Sequence, residues 1–298
     1  MKRSRPAKPS AQNLDSISLN KYISDSGFCS RRDADNYITA GRVTINNEIA
    51  VTGNRVNSGD VVQIDGEPIR KAQKALYIAF NKPTGVTSTT DNKDKTNIID
   101  FIGYPQRIFP IGRLDKDSEG LIFLTNDGNI VNKMLRAGNN HEKEYVVTVD
   151  KPINHEFINA MSNGVPVLGQ MTRPCKVVQE GKSTFRITLT QGLNRQIRRM
   201  CEYLGYEVKR LRRVRIMNVH IGDLPIGNWR YLTNAEIEMI MKLVADSKGT
   251  EEASVVISRP VPRKRKDISE DKPKAIKTKN STPKKSSFKG YRTRGKKQ

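Results

Sequence analysis

The 298-residue sequence has few of the residues that build metal, disulfide or redox sites. Its three cysteines, Cys29, Cys175 and Cys201, lie far apart without a paired motif, and it has only three histidines. This argues against a disulfide framework, a Cys/His zinc site and a CxxC redox pair. The GxGxxG and P-loop patterns are also absent, so no nucleotide cofactor is indicated. We therefore expect a protein that works without a metal or a cofactor.

Long apolar runs are absent as well. No run approaches the roughly twenty residues that a membrane-spanning helix needs, and no apolar stretch follows the basic N-terminus as in a signal peptide. We therefore expect a soluble, cytoplasmic protein with no membrane partner.

Acidic residues are too few to balance the basic ones. The 53 Lys and Arg residues outnumber the 31 Asp and Glu residues, which gives a formal net charge of +22. Much of the excess lies beyond Ser247, where Lys, Arg, Ser and Pro dominate. Such a balance favours a polyanionic partner, because neutralising phosphates releases counterions. Nucleic acid is therefore the first candidate partner.

The chain divides into five segments. Residues 1–16 and 248–298 are basic and lack hydrophobic periodicity, so both are predicted to be disordered. Residues 17–66 have the pattern of a small domain, residues 67–75 that of a charged linker, and residues 76–247 that of a larger domain.

The small domain is predicted to contain two short helices followed by a small sheet. Ser30 and Asp33 have the spacing of a capping box at the start of the second helix, and valine and isoleucine alternate from Val43. Basic side chains on such helices are ordinarily a solvated surface, and RNA contact is the alternative. The side chains concerned are Lys21, Arg31, Arg32 and Arg42.

The stretch GRLDKDSEGL, Gly112–Leu121, places Asp115 in a charged loop between two short apolar runs of strand type. An Asp in a polar loop usually serves the turn by hydrogen-bonding its own backbone. The alternative is a functional carboxylate at the rim of a sheet, since loops on a rigid scaffold commonly carry such groups.

The stretch QGLNRQIRRMCEYLGY predicts an amphipathic helix that ends near Gly205. Its apolar stripe consists of Ile197, Met200, Cys201 and Leu204. At about 100° per residue, Arg195 and Arg199 point away from the stripe and Arg198 lies on its flank. Arg195 and Arg199 are then solvated or RNA-facing, whereas Arg198 can make a structural ion pair or reach a neighbouring element.

The alternation in KEYVVTVD predicts a strand that contains Tyr145. This tyrosine can be a core-edge residue or a residue that stacks on a base.

Two sets of motifs resemble known families. The succession SLNKYISDSGFCSRRDADNYI, GRVTINNEIA and GDVVQIDG resembles the S4 RNA-binding module. The further succession NKPTG, GRLDKDSEGL, KEY and LNRQIRRM resembles the RNA pseudouridine synthases of the RsuA family. The stretches LRAGNNHEKEYVVTVDKPI and LNRQIRRMCEYLGYEVKRLRRVRIMNV are most similar to RluF-type members, which act on large-subunit rRNA. Asn194 and Arg195 before QIR, where RluA-type enzymes carry a histidine, argue against that sister branch.

The resemblance implies an α+β protein. It predicts a small N-terminal S4-like RNA-binding module, followed by a synthase domain built on a mainly antiparallel mixed sheet with flanking helices. It also implies isomerisation of uridine to pseudouridine in RNA, a reaction that needs no cofactor.

The resemblance further implies roles for individual residues. Asp115 is the expected catalytic carboxylate, Arg198 its ion-pair partner, and Tyr145 the residue that stacks on the flipped uracil. Arg113 would fill the space left by that base or grip its phosphate. The remaining residues expected to contact RNA are Lys21, Arg31, Arg32, Arg42, Arg195 and Arg199.

The expected partner is RNA rather than DNA: 23S rRNA, with a tRNA as a candidate second substrate, bound by a monomer. Two other classes of function stay open at this point. One is a non-catalytic RNA-binding or ribosome-assembly protein, for which the basic tails and N-terminal module suffice. The other is a glycoside or nucleoside hydrolase that uses Asp115, although such enzymes usually need two carboxylates.

Overall fold

The computed structural model describes residues 16–69, 74–135 and 140–245. The two segments predicted to be disordered, residues 1–16 and 248–298, lie outside the described ranges, except for Ser16. Within the described ranges, no helix is both long and apolar enough to cross a bilayer.

The N-terminal unit consists of two short helices and small sheets. Its elements are β1 Ile17–Ser18, α1 Leu19–Asp25, α2 Arg31–Thr39, β2 Val43–Ile45, β3 Glu48–Ile49, β4 Arg55–Val56, β5 Val62–Ile64 and β6 Glu67–Pro68. The side chain of Ser30 caps α2 by accepting a hydrogen bond from the Asp33 backbone amide at 3.1 Å, as its sequence pattern predicts. Four strands pair in the order β3-β2-β5-β6, and β1 pairs with β4.

The unit has its own hydrophobic core. Both helices turn their apolar side chains onto the sheet, so that the buried cluster includes Leu19, Ile23, Ala34, Ile38, Val43, Val62 and Ile64. An amphipathic helix packed on one face of a sheet is the arrangement that the sequence pattern predicts.

The small sheet extends into the segment predicted as a linker. Asp65 and Gly66 both adopt positive φ, 55° and 83°, and form a tight turn. This turn pairs Glu67–Pro68 with β5. The sheet therefore ends at Pro68 rather than at Gly66, and residues 70–73 lie outside the described chain.

The larger unit is built on a nine-stranded sheet. Its elements are β7 Tyr77–Lys82, α3 Ile98–Ile102, β8 Phe109–Ile111, β9 Glu119–Thr125, α4 Gly128–Leu135, β10 Lys143–Val149, α5 His155–Asn163, β11 Pro166–Val167, β12 Gln170–Met171, β13 Lys176–Gly181, β14 Thr184–Leu189, α6 Gln196–Tyr203, β15 Val208–Ile216, β16 Val219–His220, β17 Trp229–Tyr231 and α7 Asn234–Ala245. The main order is β13-β14-β10-β15-β9-β7-β17. Strand β16 pairs with β15, and β8 with β9.

Helices pack onto this sheet through separate hydrophobic clusters. The predicted stripe of α6, with Ile197 and Met200, lies in one buried cluster with Val147 of β10 and Phe185 of β14. Helices α4 and α7 contribute to another, which also contains strand residues of β7 and β9. The prediction of a sheet with flanking helices is therefore confirmed.

Strand β15 pairs in parallel with β9, whereas the other pairings of the sheet are antiparallel among the described residues. Arg213 lies opposite Gly120 at this parallel step. Gly120 has φ of 107°, and a Cβ there would lie 2.3 Å from the Arg213 carbonyl oxygen. Only glycine fits this close approach of two backbones, which sets where the Asp115 loop meets the sheet.

We predict that Gly120→Ala destabilises the protein more than Gly59→Ala. Both glycines have positive φ, but nothing lies within 4 Å of a Cβ at Gly59, so only Gly120→Ala adds a backbone clash. Overpacking of this kind costs about 1–3 kcal/mol beyond the conformational strain that both variants share. Urea unfolding of the two variants measures the difference, and equal losses would contradict the prediction.

Candidate active site

A cavity of about 450 Å³ lies where the Asp115 loop meets the sheet. Among the predicted site residues, Arg113, Asp115, Tyr145 and Arg195 line it. The lining also includes residues of β10, of β15 and of the chain that leads into α6. Three sequence-distant motifs, GRLDKDSEGL, KEY and LNRQIRRM, therefore meet at one cavity.

The backbone around Asp115 is fixed by neighbours rather than by its own carboxylate. Ser88 Oγ donates to the Leu114 carbonyl at 3.0 Å, and the Gly85 amide donates to the Lys116 carbonyl at 2.7 Å. The turn itself closes when the Ser118 amide donates to the Asp115 carbonyl at 3.0 Å. The turn therefore does not depend on the Asp115 side chain, which is 30% exposed and faces two arginines.

The predicted ion pair between Asp115 and Arg198 is present but long, with Arg198 Nε 4.0 Å from Asp115 Oδ2. Arg198 Nη2 donates to the Asp117 carbonyl at 2.9 Å and to Ser118 Oγ at 3.2 Å. Its Nη1 donates to the Val208 carbonyl at 3.2 Å. Arg198 thus ties the loop to the start of β15 and presents Nε towards the carboxylate.

Arg195 approaches Asp115 more closely, with Nη1 3.4 Å from Oδ2. Helical spacing does not apply to Arg195, because it is the N-cap of α6 and adopts left-handed φ of 49°. Its side chain remains 42% exposed, as expected, but it is also an ion-pair partner inside the site. Backbone conformation at a single cap residue is not visible in the hydrophobic pattern, so the sequence did not reveal this contact.

Asp117 is a second carboxylate that sequence reasoning missed. Arg195 donates to both of its oxygens at 3.1 Å, and Arg198 Nη2 lies 3.3 Å from Oδ2. Partial burial opposes ionisation of Asp117, but the hydrogen bonds and charges of the two arginines outweigh it and lower its pKa. Asp117 thereby fixes both guanidinium groups beside Asp115. The signal was its position two residues after Asp115.

Tyr145 is both a core-edge residue and a cavity residue. Its half-buried ring packs against two hydrophobic clusters, and it also lines the cavity. The guanidinium carbon of Arg213 lies 6.0 Å from the centre of its ring. The two alternatives that the sequence left open for Tyr145 are therefore compatible.

The predicted RNA-contacting residues differ in how they are placed. Arg199 donates to the Asn194 carbonyl at 3.1 Å and to its side chain at 3.2 Å, so it braces the loop before α6. On the N-terminal unit, Lys21 pairs with Asp25, and Arg42 makes a bidentate pair with Asp65. Arg31 and Arg32 are both exposed on α2.

Lys82 is a buried cation that sequence reasoning did not identify as part of the site. Its side chain is fully buried, and Nζ donates to the Pro83 and Val86 carbonyls, both at 2.8 Å. Burial lowers the pKa of Lys82 to about 8, although the charges of Asp115 and Asp117 oppose the shift. Its signal was the NKPTG motif, in which a lysine stands beside a proline that fixes the backbone.

In the described ranges, no group of three or more His, Cys, Asp or Glu side chains has the arrangement to hold a metal ion.

Comparison with known proteins identifies the family to which this chain belongs. Residues 76–203 match the model of the RNA pseudouridylate synthase family, and residues 18–62 match the S4 domain. The dual-specificity RNA pseudouridine synthase RluF of Escherichia coli K12 is 58% identical over 234 residues, 78% of this chain and 81% of the relative. This chain belongs to the RNA pseudouridine synthase family. The S4-like module and the RluF-type resemblance are both confirmed.

Two further comparisons support the same family assignment. Ribosomal large subunit pseudouridine synthase B of Bacillus subtilis is 33% identical over 239 residues, 77% of this chain and 98% of the relative. A crystal structure of a pseudouridylate synthase aligns with a TM-score of 0.57 at 30% identity, covering 76% of this chain and 100% of that chain. The synthase is therefore an enzyme that acts on RNA, rather than a non-catalytic RNA-binding protein or a hydrolase.

We predict that Lys82 makes the stability of the synthase depend on pH. Because its pKa is lowered on folding, the unfolded chain binds more protons between about pH 8 and the ordinary lysine pKa. The cost of the buried charge is therefore full below pH 8 and disappears as the pH rises. Urea unfolding at pH 7.5 and 10 should show the wild type gaining stability relative to Lys82→Met.

The exposed Lys176 provides a control, since Lys176→Met should leave the pH dependence of unfolding as in the wild type. A wild type that loses stability relative to Lys82→Met as the pH rises would overturn the prediction.

Proposed function

We propose that the synthase converts a specific uridine of 23S rRNA to pseudouridine, with Asp115 as the catalytic carboxylate. The observation that carries this proposal is the position of Asp115 at the cavity, with its carboxylate beside Arg195 and Arg198 and unused by its own turn. The relative from Bacillus subtilis, named as a large-subunit enzyme, supports the rRNA target. The relative from Escherichia coli is named a dual-specificity enzyme, and we include a tRNA as the second substrate of the synthase.

The reaction breaks the bond between N1 of uracil and C1′ of ribose, turns the base, and joins C5 to C1′. Positive charge develops on the ribose as the bond breaks, and an ionised carboxylate near C1′ stabilises it, as in retaining glycosidases. Asp115 can do so by bonding to C1′ or by removing the C2′ proton to give a glycal. Both routes use the Asp115 carboxylate, whose Oδ2 lies 3.4 Å from Arg195 Nη1 and 4.0 Å from Arg198 Nε.

The neighbours of Asp115 receive supporting roles in this proposal. Tyr145 stacks on the flipped uracil, because its ring lines the cavity and its other side is held by the core. Arg113 is exposed and also lines the cavity, so it either fills the gap left by the base or grips its phosphate. Removing a base from its stack costs a few kcal/mol, and an unpaired loop uridine is therefore the cheaper target.

The N-terminal unit is proposed to hold the RNA backbone. Arg31 and Arg32 are exposed on α2, whereas Lys21 and Arg42 would have to exchange acidic partners for phosphate. Arg195, which lines the cavity, and Arg199 of α6 are proposed to contact the RNA near the cavity. We further propose that the synthase acts as a cytoplasmic monomer on RNA, without DNA, membrane or cofactor.

We predict that Asp115→Asn abolishes tritium release from 23S rRNA labelled with [5-³H]uridine while leaving RNA affinity unchanged. The substitution keeps shape but removes the charge that stabilises the ribose cation. Asp223→Asn, the same change at an exposed position, is the control and should retain activity. Undiminished release by Asp115→Asn would disprove the catalytic assignment.

We predict that the double substitution Arg31→Ala, Arg32→Ala weakens RNA binding and flattens its salt dependence. Each lost phosphate contact reduces the slope of log affinity against log salt by about 1. Filter binding to a 23S rRNA fragment at several salt concentrations measures this slope. Lys242→Ala, an exposed lysine of α7, serves as the control, and an unchanged slope in the double variant would count against RNA contact by α2.

A further inference from the structure

Arg213 is a buried cation that the chemistry above does not use. It is 4% exposed, lies on β15 and lines the cavity. Its Nε donates to the Leu121 carbonyl at 2.6 Å, but its Nη2 is buried without a hydrogen-bond partner. None of the ion pairs among the described residues includes Arg213. Burying a charge without a partner is strongly unfavourable, so this guanidinium is placed for an anionic or strongly accepting ligand.

Lys143 is a second cation in the same cavity without a carboxylate partner among the described residues. Its Nζ donates to the His141 carbonyl at 3.2 Å. Burial, and then repulsion by Arg213, lower the pKa of Lys143 to about 8. Both cations line the same cavity from the paired strands β10 and β15, and an anion bound between them is favourable because it reduces the repulsion of their like charges.

The charges around the cavity have a polarity. Asp115 is the single carboxylate among the described residues that line it, and it lies between the cations Arg195 and Arg198. Arg213 and Lys143 have no such acid. The cavity thus offers a carboxylate at one place and unneutralised cations at another, which suits a substrate that separates into a positive and a negative part.

Tyr145 lies directly opposite Arg213 in the pairing of β10 with β15, so their side chains share a face of the sheet. The Arg213 guanidinium carbon is 6.0 Å from the Tyr145 ring centre. A uracil stacked on Tyr145 therefore has its edge within reach of Arg213. The uracil carries two carbonyl oxygens, O2 and O4, that can accept from Nη2 and from a lysine ammonium.

Breaking the N1–C1′ bond sends its electron pair to N1, which leaves uracil as an anion with charge spread over N1, O2 and O4. C5 of this anion then attacks C1′, the C5 proton is lost, and N1 gains a proton. Hydrogen-bond donors aimed at developing charge in a buried site lower such barriers, and loss of one typically costs about 100- to 1,000-fold in rate.

We propose that Arg213 and Lys143 form a cationic floor that binds the uracil oxygens and stabilises the uracil anion when the glycosidic bond breaks. The proposal rests on the proposed function and extends it. The Asp115 carboxylate stabilises the sugar, and the cationic floor stabilises the base. An RNA phosphate is the competing ligand. Arg213 is too deeply buried for the phosphate backbone, whereas a flipped base enters the cavity.

The test compares 23S rRNA fragments transcribed with uridine or with 5-fluorouridine. Fluorine withdraws electrons from the ring, so its anion needs less stabilisation by the protein. The variants are Arg213→Met and Lys143→Met, with Arg212→Met as a matched control. Arg212 is the next residue of the same strand and does not line the cavity. The single-turnover rate of forming the C5–C1′ linked nucleoside is measured by nucleoside mass spectrometry.

We expect Arg213→Met to react about 100-fold more slowly than the wild type on uridine RNA. On 5-fluorouridine RNA the loss should shrink by about tenfold or more, with RNA affinity unchanged. Lys143→Met should show the same pattern on a smaller scale and does not depend on the Arg213 contact with Leu121. Arg212→Met should match the wild type on both RNAs.

Equal losses on the two RNAs would overturn the cationic floor, since a merely structural defect does not depend on the leaving group. Loss of affinity with an unchanged single-turnover rate at saturation would overturn it in favour of a phosphate grip. The wild-type rate on uridine RNA separately tests the proposed function, so the two failures are distinguishable.

Discussion

The parallel step between β9 and β15 is the constraint on which the site depends. Gly120 lets the β9 backbone approach Arg213 more closely than any side chain would allow. Through this one contact, the loop that carries Asp115 reaches the strand that carries Arg213, and α6, which precedes that strand, delivers Arg195 and Arg198. A parallel step inside an otherwise antiparallel sheet joins segments nearly a hundred residues apart. Local patterns cannot produce this arrangement.

The site distributes charge through shared partners. Asp117 occupies Arg195 through two hydrogen bonds and also lies against Arg198, which holds both guanidinium groups in place before any RNA is bound. Asp115 can then interact with both without holding either alone. Preorganisation of this kind means that little reorganisation is needed when charge develops on the substrate.

Much of the fold was predictable from the sequence, because the relevant signals are local. The Ser30 cap, the stripe of α6 and the strand around Tyr145 follow from spacing alone, and motif order led to the family. The contact of Arg195 with Asp115 was not predictable, since it depends on a left-handed cap residue. The burial of Lys82 and Arg213 was also hidden, because lysine and arginine in strands ordinarily face solvent. Only long-range pairing of strands encloses them.

The ends of the nine-stranded sheet affect how the folded protein meets its own copies. At one end β17 has only three residues, and at the other β13 exposes Lys176, Gln179 and Glu180. Short strands and charged side chains are the devices by which open sheets discourage pairing with another chain. The short β17 and the charged side chains of β13 therefore disfavour edge-to-edge pairing of two copies, although β13 also exposes Val178.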